Sequence, residues 1–317
     1  MLSHSPALRE PFSPVARILT YPIQFYNRYS ETVESESIYG ESYLRWTYEN
    51  PLGRLALWLL VKRSLFSNWY GWRMDRPGSR EKIGPFIKRY EIDMDDYQRN
   101  AEAFKTFNEF FYRELKPGAR PIAVGEDVVT LPADGRHLAI PDLATVERIY
   151  AKGQSFDLTA FLGRADLANR FADGSMVISR LCPVDYHRFH APVSGKVASI
   201  EAIQGPLYSV SPIALRNRLS FLWNNKRVLT LIETESLGTV AFVAIGATCV
   251  GRIHMSISEN EDLSKGDELG YFAFGGSCVA TIFEKDRIEL AADLLRQSAN
   301  SREVYAKMGD VLGTQVR

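Results

Sequence analysis

Gly270-Tyr271-Phe272-Ala273-Phe274-Gly275-Gly276-Ser277-Cys278-Val279-Ala280-Thr281-Ile282-Phe283 reads as one strand running into a Gly-Gly pair, a single serine, and a second strand running out. Phe272 and Phe274 alternate with small residues on the way in, and Val279, Thr281 and Phe283 alternate on the way out. Two adjacent glycines open backbone conformations closed to residues with a Cβ and let another group approach the Gly276 carbonyl. A serine hydroxyl just after such a carbonyl is placed to attack it from within its own chain. The plainer alternative is a hairpin turn, with glycine for geometry and serine for a turn hydrogen bond. A short motif acquires meaning only from its context.

That context is β-rich from about residue 120 onward. Val128-Val129-Thr130-Leu131 leads into the turn Pro132-Ala133-Asp134-Gly135, and residues 176–181 lead into Pro183-Val184-Asp185-Tyr186-His187-Arg188-Phe189-His190-Ala191-Pro192. Two apolar-rich runs follow at 227–233 and 239–247, then Lys265-Gly266-Asp267-Glu268 turns into the Gly270 stretch. The closing segment reads as a helix over 288–295 and a weak final strand.

Upstream, residues 1 to about 115 read as helical, including a helix over 101–115 with Phe104, Phe107, Phe111 and Leu115 at helical spacing. Lys116-Pro117-Gly118 stops it. Between residues 51 and 90 there are nine Lys/Arg and two Asp/Glu, interleaved with Trp58, Trp69, Tyr70 and Trp72. Rings at an interface and cations against anionic phosphates suit a helix lying in a headgroup layer. A basic solvated face over a buried helix has the same pattern. The longest apolar run here, residues 55–61, is far short of a membrane span, and no cleavable leader is expected from the first ten residues. Over 317 residues, 45% apolar and 24% charged content is that of a globular protein with room for one large or two modest domains. The formal net charge is zero, so the overall balance points to no particular partner, and no nucleic acid is expected. Three scattered cysteines, Cys182, Cys249 and Cys278, suit buried thiols in a reducing compartment rather than a disulfide framework.

Of five histidines, His187 and His190 lie three apart in one short segment beside Asp185, with a second turn aspartate at Asp134. On a regular strand they would face opposite sides, so serving one site requires a bulge or coil, which Pro183 and Pro192 permit. His-x-x-His without a third ligand at recognisable spacing is a weak zinc signal, and no metal is expected. Serine, histidine and aspartate together suggest nucleophilic catalysis. The hydrolase elbow is not met, because Val279 stands where its second glycine belongs. The turns at 191–197 and 265–270 are similar to those of lipoyl- and biotin-carrier domains, but no Met-Lys attachment site is present; the likeness is one of fold.

Taken together, these segments resemble the phosphatidylserine decarboxylase family. Phe107-Asn108-Glu109-Phe110-Phe111-Tyr112-Arg113-Glu114-Leu115-Lys116-Pro117-Gly118-Ala119-Arg120-Pro121-Ile122 is similar to its entry segment, Pro132-Ala133-Asp134-Gly135 to its aspartate motif, and Asp185-Tyr186-His187-Arg188-Phe189-His190 to its histidine motif. Gly205-Pro206-Leu207-Tyr208-Ser209-Val210, Asn225-Lys226-Arg227 and the self-processing Gly275-Gly276-Ser277 are also similar, in order, from about residue 70 to the end. One departure stands out: the family usually has Thr after the processing serine, and here it is Cys278.

The resemblance implies an α+β protein: a helical, membrane-associating region over 1–119, then a mainly β, barrel-sandwich-like catalytic body over 120–317. It implies that His190, oriented by Asp134, takes the proton of Ser277, and that the chain cuts itself between Gly276 and Ser277 into a large and a small chain. Ser277 would become a pyruvoyl group, the cofactor, acting as an electron sink as pyridoxal phosphate does elsewhere. His187 would return a proton to the substrate carbon. The implied substrate is phosphatidylserine, giving phosphatidylethanolamine and carbon dioxide at the cytoplasmic face of the cell membrane, with the protein bound peripherally. A homodimer is left open. Decarboxylation of another serine lipid or of an aromatic amino acid, or an unprocessed non-enzymatic role, are the alternatives.

Overall fold

The computed structural model describes residues 23–36, 41–56, 64–146, 156–217, 220–247, 252–274 and 277–316. Its strands are β1 (Gln24–Asn27), β2 (Thr32–Ser35), β3 (Val128–Thr130), β4 (Gly135–Ile140), β5 (Ser175–Leu181), β6 (Arg188–His190), β7 (Gly195–Ile203) and β8 (Arg227–Glu233). They continue with β9 (Thr239–Ile245), β10 (Ile253–Met255), β11 (Asp262–Leu263), β12 (Glu268–Phe272), β13 (Ser277–Phe283), β14 (Ile288–Leu290), β15 (Glu303–Ala306) and β16 (Val311–Gln315).

The strand that opens at Ser277 is buried along its whole length and pairs antiparallel with β5 on one side and β9 on the other. It lies inside a ten-stranded sheet ordered β11-β7-β8-β9-β13-β5-β4-β15-β1-β2. A strand covered on both faces needs apolar residues at nearly every position, as 277–283 has. Alternation sends Cys278, Ala280 and Ile282 into one core and Val279 and Phe283 into the other. The Cys278 side packs under helices such as Leu158–Leu162 and Ala165–Phe171, whose Phe161 and Phe171 are buried. The Val279 side is covered by two three-stranded sheets, β10-β12-β6 and β14-β16-β3, and by the helix Ala292–Ala299. Each fully buried ring in these cores stabilises the fold by about 2 kcal/mol.

Among the described residues no sheet closes into a barrel, and the architecture is mixed α/β with large open sheets. The turns that suggested a closed barrel sandwich lead into different sheets, the one at 191–197 into β7 of the ten-stranded sheet and the one at 265–270 into β12 of a three-stranded one. Beyond β4 the ten-stranded sheet adds β15 and then β1 and β2, so its ends stay apart. The expected helical N-terminal region is found only in part, and residues 1–22 of it lie outside the described residues. The first described elements are strands, and β1 joins β15 in parallel, with Tyr26 opposite Val304. Helices do follow, at Glu41–Glu49, Pro51–Ala56, Ser64–Met74 and Ile83–Tyr90, while residues 57–63 of the basic, apolar segment lie outside the described residues. The helix expected over 101–115 is shorter, Phe107–Phe111. Thr106 caps it by accepting from the Glu109 N–H, and Leu115 bridges to Tyr97 instead of continuing the helix. Its aromatic stripe is core: Phe104, Phe107, Phe110 and Phe111 pack with Phe86 and Phe274. No helix among the described residues is long and apolar enough to cross a membrane.

Candidate active site

Strands β4, β5 and β13 are neighbours, and their registers put the candidate residues at one end of the sheet. Ser277 opens β13 opposite Leu181, the last residue of β5, and Asp134 immediately precedes β4, whose Arg136 lies opposite Arg180. Gly135 is required there, since a Cβ would sit 2.5 Å from the Arg180 carbonyl oxygen. From Leu181 the chain runs through residues 182–187 into β6, and β6 pairs with β12. The Phe272 N–H donates to the His187 carbonyl at 2.9 Å. That bond ties β12, five residues ahead of Ser277 in the sequence, to the histidine segment, while the Ser277 hydroxyl itself bonds to neither histidine. The irregular turn at Pro183 supplies the break from strand geometry that two histidines three apart need, helped by an Asp185 N–H bond to the Cys182 carbonyl.

His187 is fully buried, its ring 3.8 Å from that of Phe111. Its Nδ1 lies 2.9 Å from the Asp185 carbonyl oxygen. A carbonyl only accepts, which assigns the ring proton to Nδ1. Asp185 is itself held: its carboxylate accepts from Arg136 Nη1 at 2.6 Å and from the Cys182 N–H at 2.7 Å. Burial pushes the Asp185 carboxyl up, against the pull of Arg136.

His190 is anchored at three points. Its N–H donates to the Pro132 carbonyl at 2.8 Å, its Nδ1 lies 2.8 Å from the Gly266 carbonyl oxygen, and its Nε2 lies 3.1 Å from the Tyr186 hydroxyl. Gly266 has φ +93, so the turn that presents this carbonyl favours glycine. Burial holds the imidazole below its ordinary range, outweighing the Gly266 bond and the charges of Glu268 and Asp134. A histidine neutral at physiological pH is what a general base requires.

Asp134 acts on His190 through its charge, but its hydrogen bonds go elsewhere. Arg120 donates from Nε to both carboxylate oxygens at 3.1 Å and from Nη2 at 2.8 Å, and the Met308 N–H adds a bond of 2.9 Å. Arg120 also reaches Asp96 through Nη1 at 2.6 Å. Asp134 is thus held by a buried arginine clamp and reaches His190 through charge rather than through a hydrogen bond. Arg120 and Tyr186 were visible in the sequence within the entry and histidine segments, but nothing in spacing alone marks them as partners of Asp134 and His190. A cavity of about 340 Å³ adjoins these groups, with Arg120, Asp134, Asp185 and Tyr186 in its wall.

Ser277 is fully buried, and its Oγ has no hydrogen-bond partner. A buried hydroxyl left unsatisfied costs about 1–3 kcal/mol, and such groups in folded proteins are concentrated where chemistry needs them. Gly275 and Gly276 lie outside the described residues. Among the described residues no cluster of three or more His, Cys, Asp or Glu is arranged to hold a metal ion.

A family model for phosphatidylserine decarboxylase matches residues 107–314. The chain belongs to the phosphatidylserine decarboxylase family. It is 42% identical to the phosphatidylserine decarboxylase proenzyme of Fusobacterium nucleatum subsp. nucleatum, over 92% of this chain and 98% of that one. The proenzyme of Clostridium kluyveri is 40% identical over 92% and 98%, and that of Chlamydia trachomatis serovar L2 is 40% identical over 91% and 96%. All four candidate residues, together with Arg120 and Tyr186, lie inside the segment matched by the phosphatidylserine decarboxylase model.

The residue that departs from the usual phosphatidylserine decarboxylase pattern, Cys278, points to the opposite face of the sheet from Ser277. It packs in the apolar core, and burial pushes its thiol well up. Cys278→Val, close in size and apolar, is expected to leave self-cleavage unchanged and to alter stability by less than about 1.5 kcal/mol. A gel time course of cleavage beside a thermal melt checks this. A slowed cut would place the thiol in the reaction.

Proposed function

We propose that this chain is a proenzyme that cuts its own backbone between Gly276 and Ser277 and then decarboxylates phosphatidylserine to phosphatidylethanolamine. The observation that carries the reading is the Ser277 hydroxyl. It is buried, has no hydrogen-bond partner among the described residues, and opens the central strand opposite the end of β5, whose other neighbour is the strand that Asp134 precedes. The residues also fit a pyruvoyl group, because the orphaned Oγ sits on the residue from which that group would be made.

In the cut, His190 takes the Oγ proton as the Ser277 oxygen adds to the Gly276 carbonyl carbon. The C–N bond breaks and the peptide becomes an ester, with the proton passed on to the freed amine. Loss of the Ser277 Cα proton then breaks the Cβ–O bond and leaves a carboxylate on Gly276. Water replaces the nitrogen on Cα, ammonia departs, and a ketone remains. Arg120 fixes Asp134, whose charge favours the imidazolium of His190 as it forms. When formed, the pyruvoyl group supplies an electron sink for the carboxylate's departure. His187, with Nδ1–H anchored on the Asp185 carbonyl, takes up a proton from solvent at Nε2 and, as the imidazolium, delivers it from Nε2 to complete the product. Intact mass of purified protein tests the cut. Chains of residues 1–276 and 277–317, the latter without a free amine, are expected, and one uncut chain devoid of activity would overturn the reading.

The headgroup sits in a membrane, so the proposal includes peripheral binding at the cytoplasmic face through the helical part of residues 1–119. Trp69 and Trp72 are half exposed, with Arg73 stacked at 5.2 Å and Arg76 at 3.9 Å from their rings. Cations beside exposed indoles support an interfacial surface. Near an anionic leaflet each contributes about 1 kcal/mol, so Arg73→Ala and Arg76→Ala are each expected to weaken binding to phosphatidylserine vesicles about fivefold. Co-sedimentation at low and high salt checks this, and unchanged binding would move the membrane contact elsewhere.

A further inference from the structure

Three features outside the roles assigned so far bear on chemistry: the cavity beside Asp134, the buried Arg227, and the hydroxyl of Tyr186. Arg227 caps the helix Leu158–Leu162 by donating to the carbonyls of Ala160 and Phe161, which accounts for it structurally. The cavity wall is net acidic, and the carboxylates of Asp134 and Asp185 in it are already paired with Arg120 and Arg136. Tyr186 is different, because it touches the nitrogen that matters.

Since Nδ1 of His190 donates to Gly266, the basic lone pair is on Nε2, and the Tyr186 hydroxyl covers it at 3.1 Å. The phenol ring lies 5.8 Å from the imidazole at 27°, and Tyr186 is buried except where it meets the cavity. We infer that Tyr186 is a positioning residue for self-cleavage, holding Nε2 of His190 while it is neutral and accepting from the Nε2–H once the serine proton has arrived. This rests on the reading of His190 as the base.

Nε2 has a single lone pair, so the phenol hydrogen turns away from it before the Ser277 Oγ–H bond breaks and the Nε2–H bond forms. The Tyr186 hydroxyl stays a phenol throughout and reverses from donor to acceptor. Its hydrogen turns toward the cavity, where the carboxylates of Asp134 and Asp185 stand. Burial pushes the phenol far above its usual range, so it does not ionise in competition. A bond donated by an imidazolium is about twice as strong as one accepted by a neutral ring, so the hydroxyl favours the protonated base overall. The other groups acting on His190 are Glu268 from β12, Asp134 ahead of β4 and Arg188 of its own strand, and changing Tyr186 removes none of them.

The test is the rate of self-cleavage against pH in Tyr186→Phe, beginning from freshly refolded precursor. The acid limb, where His190 must lose its proton, is expected to move down by about half a pH unit or more, and the plateau to fall about fivefold. A ring that only packs would slow the cut without moving the limb. An unmoved limb, or one displaced upward, overturns the inference. If the Phe variant does not fold, fluorotyrosine at position 186 keeps the ring and weakens the oxygen as an acceptor, and the same downward movement is expected. His190→Ala separates the two layers. If it cuts at the normal rate, the base itself is wrong; if it is inert while Tyr186→Phe keeps the original limb, only Tyr186 loses its role.

Discussion

Ser277→Ala is expected to give a single uncut chain that folds normally and has no decarboxylase activity. The variant lacks the hydroxyl proposed to add to the preceding carbonyl, so neither the cut nor the prosthetic ketone can form. Loss of fold is not the expected cause, and the structure makes that checkable. Ser277 Oγ accepts and donates no hydrogen bond, so its removal relieves an unsatisfied buried group worth about 1–3 kcal/mol. The melting temperature should therefore hold or rise. A denaturing gel, intact mass and a thermal melt suffice. Two chains from this variant would remove Ser277 from its role, and a melt lower by many degrees would mean that the hydroxyl is structural.

His187→Ala is expected to separate the two reactions. The cut should proceed, because the base assigned to it is His190, held independently by Pro132, Gly266 and Tyr186. Turnover of phosphatidylserine should fall about 10²–10⁴-fold, the usual loss when a positioned proton donor is removed. The ring also packs on Phe111, so some loss of stability is expected with it. The measurement is product formation per mole of cleaved protein, which corrects for any slow folding. Normal turnover would exclude His187 as the donor, and an uncut chain would make it part of the cleavage machinery.

Much of the candidate site's backbone was legible in the residues themselves. The alternation through 277–283 becomes a central strand, and Pro132-Ala133-Asp134-Gly135 becomes the turn into β4. The break from strand geometry ahead of His187 lies at the turn that Pro183 suggested, where the Asp185 N–H bonds to the Cys182 carbonyl. The pairings of distant segments were not legible. β1 and β2 are four residues each, too short for periodicity to register, and they are held by β15 from the far end of the chain. Residues 101–115 carry a helical stripe, yet tertiary contacts of Phe104 and Leu115 override it, and Thr106 starts the helix late. The partners of Asp134 and His190 were hidden for a related reason. Arg120 and Tyr186 matter through bonds made only after folding, and a buried arginine looks no different from a solvated one in a string of letters.

Residues 277–316 do not form a tail on a finished body. They supply β13 between β5 and β9, β15 between β4 and β1, and β16 between β14 and β3. Scission ahead of Ser277 would convert one molecule into a heterodimer whose halves were interlaced before they were ever separate. Nothing would be gained by dissociation, and regain of structure after denaturation would become a second-order event. Recovery of the mature protein should then depend on dilution, whereas the uncut Ser277→Ala chain should refold equally well at any concentration.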